Sequence, residues 1–295
     1  MARPSANKRP NDPFPSRTPE LRLEASAVPH AWFANDPYAT AHMIALSLSF
    51  PGGEQFFVDS VRFFRDKITD SRLRTDVATF FGQETMHGRE HASFNRMLRE
   101  KGFDRNGDVE AGLLTGIRWM RARFSPEAQL AYTAAVEHWT AVMGERLLTS
   151  VPLQQKLDPS VRSLWMWHCL EETEHKAVAF DVYQEVSGHY GLRVGMMVIA
   201  SLIFVSLGAV AHPQLLRDGN WKPSLGERLR GVRHMAGRGG LFEGFARDYV
   251  RYFKPGFHPN DKDTRALVAV WRERLFGEGA PLENTRAAWP GGAPA

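Results

Sequence analysis

Two segments of the chain carry the same four-residue phrase, Glu84-Thr85-Met86-His87 and Glu172-Thr173-Glu174-His175, each within a stretch of helical spacing. At ~100° per residue, positions i and i+3 of a helix lie ~60° apart, so the Glu and the His of each phrase point the same way. Upstream of each phrase lies another helical segment with a Glu in an apolar setting: Glu54 beside Phe56-Phe57, and Glu137 behind Ala134-Ala135-Val136. Two divalent cations held close together repel each other, and about four carboxylates are needed to neutralise and bridge them. The order Glu then Glu-x-x-His, given twice, supplies four carboxylates and two imidazoles from four helices. That is the ligand order of dimetal carboxylate four-helix bundles. A single Glu-x-x-His arises often by chance; the doubled arrangement with its upstream partners constrains the fold far more.

The polar stripes extend beyond the two phrases. Glu84, His87 and His91 form one, and His168, Glu171, Glu172 and His175 form the other. Faces that also carry Phe80, Phe94, Trp165 and Trp167 belong in a core, where unpartnered polar groups are unfavourable. A lone histidine on such a face is more often a hydrogen-bonded core residue than a ligand, and a lone helical Glu is usually solvated. The joint pattern favours Glu54, Glu84, His87, Glu137, Glu172 and His175 as metal ligands. Glu171 competes with Glu172, because it too is helically spaced from His175. His91 and His168 lie one turn further on and read as proton relays or extra ligands. Glu90, Glu145 and Glu174 read as surface or ion-pair residues.

Strand-like alternation is almost absent, so the fold is expected to be all-α. Residues 1–30 begin with a basic, Pro-rich stretch lacking an apolar core and read as a disordered leader. Residues 31–190 hold the four bundle helices. The first runs from Asp36, and Pro51-Gly52-Gly53 is expected to kink or restart it before Glu54. The second is capped by Thr69 or Asp70 and stops near Gly102. A looser stretch follows. Ser125-Pro126 opens the third helix, and Asp158-Pro159 opens the fourth, which is expected to end near Gly188. Residues 191–276 form a C-terminal helical region. Within it, 194–211 holds no charged residue, and Arg217 to Lys254 holds nine Lys/Arg against four Asp/Glu among many aromatics. A helix of this kind suits a buried position, an oligomer interface or a membrane surface. Residues 277–295 are Gly/Pro/Ala-rich and read as a disordered tail. The one cysteine, Cys169, excludes an internal disulfide and points to a reducing, cytoplasmic setting, with membrane association as an addition. The net charge of +4 comes with no nucleic-acid-binding motif, so nucleic acid is not an expected partner.

The stretches FFGQETMHGREHASFN (80–95), AAVEHWTAVMGERLL (134–148) and LWMWHCLEETEHKAVAFDVY (164–183) resemble a bacterial family described as "predicted metal-dependent hydrolase". The resemblance spans roughly residues 35–275 and implies a ferritin-like four-helix bundle with additional C-terminal helices, one of them long and apolar. On the ligand types, two divalent metals are expected, iron first, with manganese or zinc as substitutes. A carboxylate-rich pair with one imidazole per metal favours O2-activating oxidase or oxygenase chemistry on a small, hydrophobic, lipid-like substrate, with an electron donor as partner. Hydrolysis through an activated water is the alternative, and a non-enzymatic metal-binding bundle is the third reading.

Overall fold

Each long helix begins where the sequence places a cap. In α1 (Pro37–Arg62) the Asp36 carboxylate accepts from the Ala39 N–H, and Pro37 fills the first turn. Asp70 caps α2 (Ser71–Glu100), Ser125 caps α4 (Pro126–Thr149) and Asp158 caps α6 (Pro159–His175). The computed structural model describes residues 14–21 and 23–282. Among these, α3 (Asp108–Arg123) occupies the stretch expected to be loose, and α5 (Val151–Gln154) is a single turn. The chain continues through α7 (Val178–Val186), α8 (Tyr190–Asp218), α9 (Leu225–Ala236), α10 (Phe245–Tyr252) and α11 (Arg265–Phe276). No strand occurs among the described residues; one isolated bridge joins Phe33 and Leu157.

Two local expectations are corrected. Pro51 does not restart the first helix: α1 passes through it unbroken. Proline removes the N–H that would bond the carbonyl four residues back, and that carbonyl, Ser47 O, takes a hydrogen bond from Asn95 Nδ2 at 2.9 Å instead. The fourth helix is not continuous to Gly188. It ends at His175, and α7 restarts at Val178 after a turn at Lys176-Ala177. Neither residue is a helix breaker by propensity. Lys176 is buried there and donates to Glu145 at 3.0 Å and to the carbonyl of Lys262 at 3.0 Å.

α1 packs along α2, α4 along α6 and α7, and α8 lies against both α4 and α1. Two apolar clusters fill the interior. One gathers Met43, Ile44, Phe94, Leu147, Trp165 and Trp167; the other gathers Phe56, Val61, Phe80, Leu130, Phe180 and Tyr183. Along α1, α2 and α4, Glu54, Glu84 and Glu137 fall where one cluster gives way to the other, so the core is divided by a buried polar belt. The described part of the expected leader packs on this body. Arg17 is buried against Glu171 and Glu174, and Val28 joins the first cluster. Residues 1–13 and 22 of the leader and 283–295 of the tail lie outside the described residues. α8 contains the expected apolar run but is little covered: 22% of its most apolar stretch is buried, and Leu202, Val205 and Val210 are exposed.

Candidate metal centre

The belt brings all six expected ligands together, each within a few per cent of complete burial. Glu54 comes from α1, Glu84 and His87 from α2, Glu137 from α4, and Glu172 and His175 from α6. Two carboxylate oxygens stand at the middle. Glu84 Oε1 lies 3.3 Å from both His87 Nδ1 and His175 Nε2. Glu172 Oε1 lies 3.5 Å from His87 Nδ1 and 3.6 Å from His175 Nε2. Glu137 Oε2 approaches His175 Nε2 at 3.2 Å. Three groups of donor atoms lie mutually within 4.8 Å: Glu54 with His87 and His168, Glu84 with Glu137 and His175, and Glu84 with His87 and Glu172. His168, given two alternative roles from sequence, thus stands inside the cluster, with Nε2 3.1 Å from Glu172 Oε1 and 3.8 Å from Glu54 Oε1.

These groups fit a metal site by a test of satisfaction. Both carboxylate oxygens of Glu54, Glu84 and Glu137, one of Glu172, His87 Nδ1 and His175 Nε2 are buried without a hydrogen-bond partner. Buried polar atoms are normally paired, and this many left over in one small volume is what a cation site requires. Space is also reserved: a Cβ at position 88 would come within 3.1 Å of Glu54 Oε2, so Gly88 leaves room for that carboxylate.

The outward ring nitrogens are held in turn. His87 Nε2 donates to Glu171 Oε2 at 3.1 Å, and Glu171 Oε1 accepts from Arg17 at 2.9 Å. Glu171 therefore orients an imidazole from outside, and Glu172 faces the cluster. His175 Nδ1 donates to Gln83 Oε1 at 2.9 Å, while Gln83 Nε2 donates to Glu174 and to the carbonyl of Pro15. Glu174 is an ion-pair residue, as expected, but a buried one, bound by Arg17 and Arg272. The third imidazole is fixed by a longer chain. Asn95 Nδ2 donates to Ser47 O, so its Oδ1 accepts from Ser47 Oγ at 2.6 Å. Ser47 Oγ must then accept from His91 Nδ1 at 2.9 Å, which leaves His91 Nε2 to accept from His168 Nδ1 at 2.8 Å. His168 Nε2 is left with its lone pair directed at Glu54 and Glu172. The sequence reading missed Arg17, Ser47, Gln83 and Asn95. Gln83 immediately precedes Glu84 and was open to notice; the others are remote in sequence and carry no local signal.

Burial and mutual repulsion dominate the electrostatics. Burial, then the charge of Glu84, pushes Glu54 well above the usual carboxylate range, and burial raises Glu84 as well. Glu137 rises to about 8 through burial and the charges of Glu84 and Glu172. Burial also disfavours the charge on Glu172, but the imidazoles of His175, His168 and His87 outweigh it and hold this carboxyl well below its ordinary value. Burial likewise opposes protonation of His87 and His175, yet the carboxylates around them raise both well above the ordinary imidazole value. His168 falls to about 4 through burial and the neighbouring His87, and His91 is lowered by burial and His168.

An all-helical body with carboxylates and imidazoles converging on one buried point defines a helical protein with a candidate metal site. The chain belongs to the family described as "predicted metal-dependent hydrolase", whose family model matches residues 15–263. No curated protein and no solved structure gives a significant match to it.

Proposed function

We propose that the chain is a dinuclear metal enzyme on a ferritin-like four-helix core, and that it activates O2 to oxidise a hydrophobic substrate. The observation that carries the reading is the convergence of four carboxylates and three imidazoles in one buried volume, where most of the inward atoms have no hydrogen-bond partner. Glu54, His87 and His168 would hold one metal, and Glu137 and His175 the other. Glu84 and Glu172 would bridge, since each sets one oxygen between the two imidazoles. Iron suits this donor set best, and manganese or zinc would share it. Four carboxylates on rigid helices, able to change between bridging and terminal modes, match ions that change charge during a cycle. When bound, ferrous ions supply electrons to O2. Converting a C–H bond to an alcohol takes one O2, two further electrons and two protons, and releases one water; an external reductant is therefore a required partner. The protein's own part is to exclude water, hold the imidazoles in one tautomer and keep the carboxylates aimed inward. His91 serves as a positioning residue for His168 rather than a relay, because its chain ends at buried Ser47 and Asn95.

Hydrolysis is the second reading, and the family description favours it. There the same ligands would present metal-activated water to an ester or phosphoryl group. Anaerobic loading with ferrous ion followed by exposure to air separates the two. The O2 reading expects two irons per chain and rapid oxygen uptake. Two tightly bound metals with no oxygen uptake, together with ester or phosphoester turnover, would overturn it. The exposed apolar face of α8 beside the basic segment that follows is further assigned to a membrane surface, where such a substrate would be found.

A further inference from the structure

We infer that the long cavity between α1, α3, α4 and α8 is the substrate site, and that it takes one unbranched hydrocarbon chain laid alongside the metal centre. What happens to the chain rests on the oxidative reading above; the binding does not. The cavity has a volume of about 470 Å³, within the range of small-molecule sites, and is partly open to solvent along exposed Trp119 and Val210. On α1 it is lined from Leu46 to Phe57, a rise of about 16 Å, and on α4 from Tyr132 to Met143, again about 16 Å. It is therefore long and narrow.

Its chemistry favours an apolar occupant. Ser49, Thr140 and Ser206 line it, but their hydroxyls are committed to carbonyls of their own helices: Ser49 to Leu46 O at 2.7 Å, Thr140 to Glu137 O at 3.1 Å and Ser206 to Leu202 O at 2.7 Å. A sugar, nucleotide or phosphate would lose its water and find few partners there, whereas an alkyl chain has none to lose. The cavity's charged and amide side chains, Asp108 and Gln214, gather at one end, whereas the other end offers only the Tyr132 hydroxyl and the Trp119 indole. α3 runs parallel to α1, since Gly52 lies against Leu114 and Asp59 pairs with Arg121; Asp108 therefore lies at the Leu46 end. α8 runs antiparallel to α1, with Gly208 near His42 and His212 bonded to Tyr38, so Gln214 lies beyond that same end. The polar end of an amphiphile would remain there, and its chain would run inward.

The cavity shares a wall with the metal centre. Phe50 lines it, and the Phe50 ring lies 4.6 Å from that of His91 and 4.7 Å from that of His168. The turns that line it at Gly53 and at Val136 and Thr140 also carry Glu54 and Glu137. A carbon part way along the chain would thus lie nearest the metals.

The test is a fluorescence titration of the full-length protein, as purified and without reductant, with a conjugated polyene C18 fatty acid. Hexadecane, hexadecanol, palmitate, phosphatidylcholine and ethyl acetate serve as competitors. Gly116 lines the cavity and nothing lies within 4 Å of where its Cβ would be, so Gly116→Phe adds bulk at this wall with no clash at Cβ. Saturable binding is expected, displaced by the C16 ligands and not by ethyl acetate, and weakened at least tenfold in Gly116→Phe at unchanged helical content. Gly112→Leu, equally open, replaces that variant if it does not fold. Displacement by free chains but not by phosphatidylcholine identifies a free amphiphile; displacement by both identifies a membrane lipid's chain. Equal affinity in the filled variant, or loss only in the α8 surface variant Leu202→Glu, would overturn the inference. Oxygen uptake without chain binding would overturn this assignment and leave the metal chemistry standing, and the converse result would do the opposite.

Discussion

His168 illustrates how the centre is specified residue by residue. Its tautomer follows from Asn95, three hydrogen bonds away, and Asn95 is anchored on the carbonyl that Pro51 leaves free. Removing an outer partner of a ligating imidazole weakens metal binding by about 10–100-fold. His91→Leu is therefore expected to lower metal affinity by that factor and keep the stoichiometry, as read by competition with a chelator. His175→Ala should lose stoichiometry itself. Proton linkage belongs to the same scale. Without metal, the raised values of Glu137, Glu54, His87 and His175 mean that the folded centre holds protons the unfolded chain has released. Stability of metal-depleted protein should then fall as pH rises from about 6.5 toward about 8, the upper limit set by Glu137; below about 6.5 the lowered imidazoles of His168 and His91 oppose the trend. Glu172, held low, opposes this only at acid pH. Metal loading at pH 7 should release protons, measurable as a buffer dependence of the calorimetric heat; no buffer dependence would contradict the electrostatic account.

The elements show which features a linear sequence can carry. Asp70, Ser125 and Asp158 were legible as caps, and Asp36 as the start of the first helix, because capping is local: the side chain meets an N–H two or three residues on. Glu-x-x-His was legible for the same reason, since helical period alone aligns its two groups. The unbroken passage of α1 through Pro51 was not, because the carbonyl it frees is satisfied from α2. The break between α6 and α7 follows a buried Lys176 whose partner, Glu145, lies on α4. α3 was missed although Asp108 and Glu110 stand in its first turn, where acidic residues favour a helix start. Arg17 is the clearest non-local case. It ties the chain before α1 to Glu171, the outer partner of His87, and to Glu174, which holds Gln83, the outer partner of His175. Removing one member of a buried ion pair costs about 3–5 kcal/mol, so Arg17→Ala should destabilise by that order in denaturant unfolding. It should also weaken metal binding; a surface-like effect on both would refute the role assigned to it.

Over the whole molecule, the candidate metal centre, a long apolar cavity and an uncovered apolar helix follow one another outward. α8 joins the last two: Ala200, Ile203 and Leu207 line the cavity, while Leu202 and Val205 face outward. If that face rests on a bilayer, the protein should sediment with anionic vesicles at low salt. Leu202→Glu combined with Val205→Glu should reduce the bound fraction at least tenfold; retention of binding by that variant would exclude α8 as the contact. All of this rests on two cations shared by α1, α2, α4 and α6. The direct measurement is anomalous diffraction from crystals loaded anaerobically with ferrous ion and collected on both sides of the iron edge. Two iron peaks are expected, one near Glu54, His87 and His168, the other near Glu137 and His175, with Glu84 and Glu172 between them. A single peak, or none within reach of Glu84 and Glu172, would contradict the account.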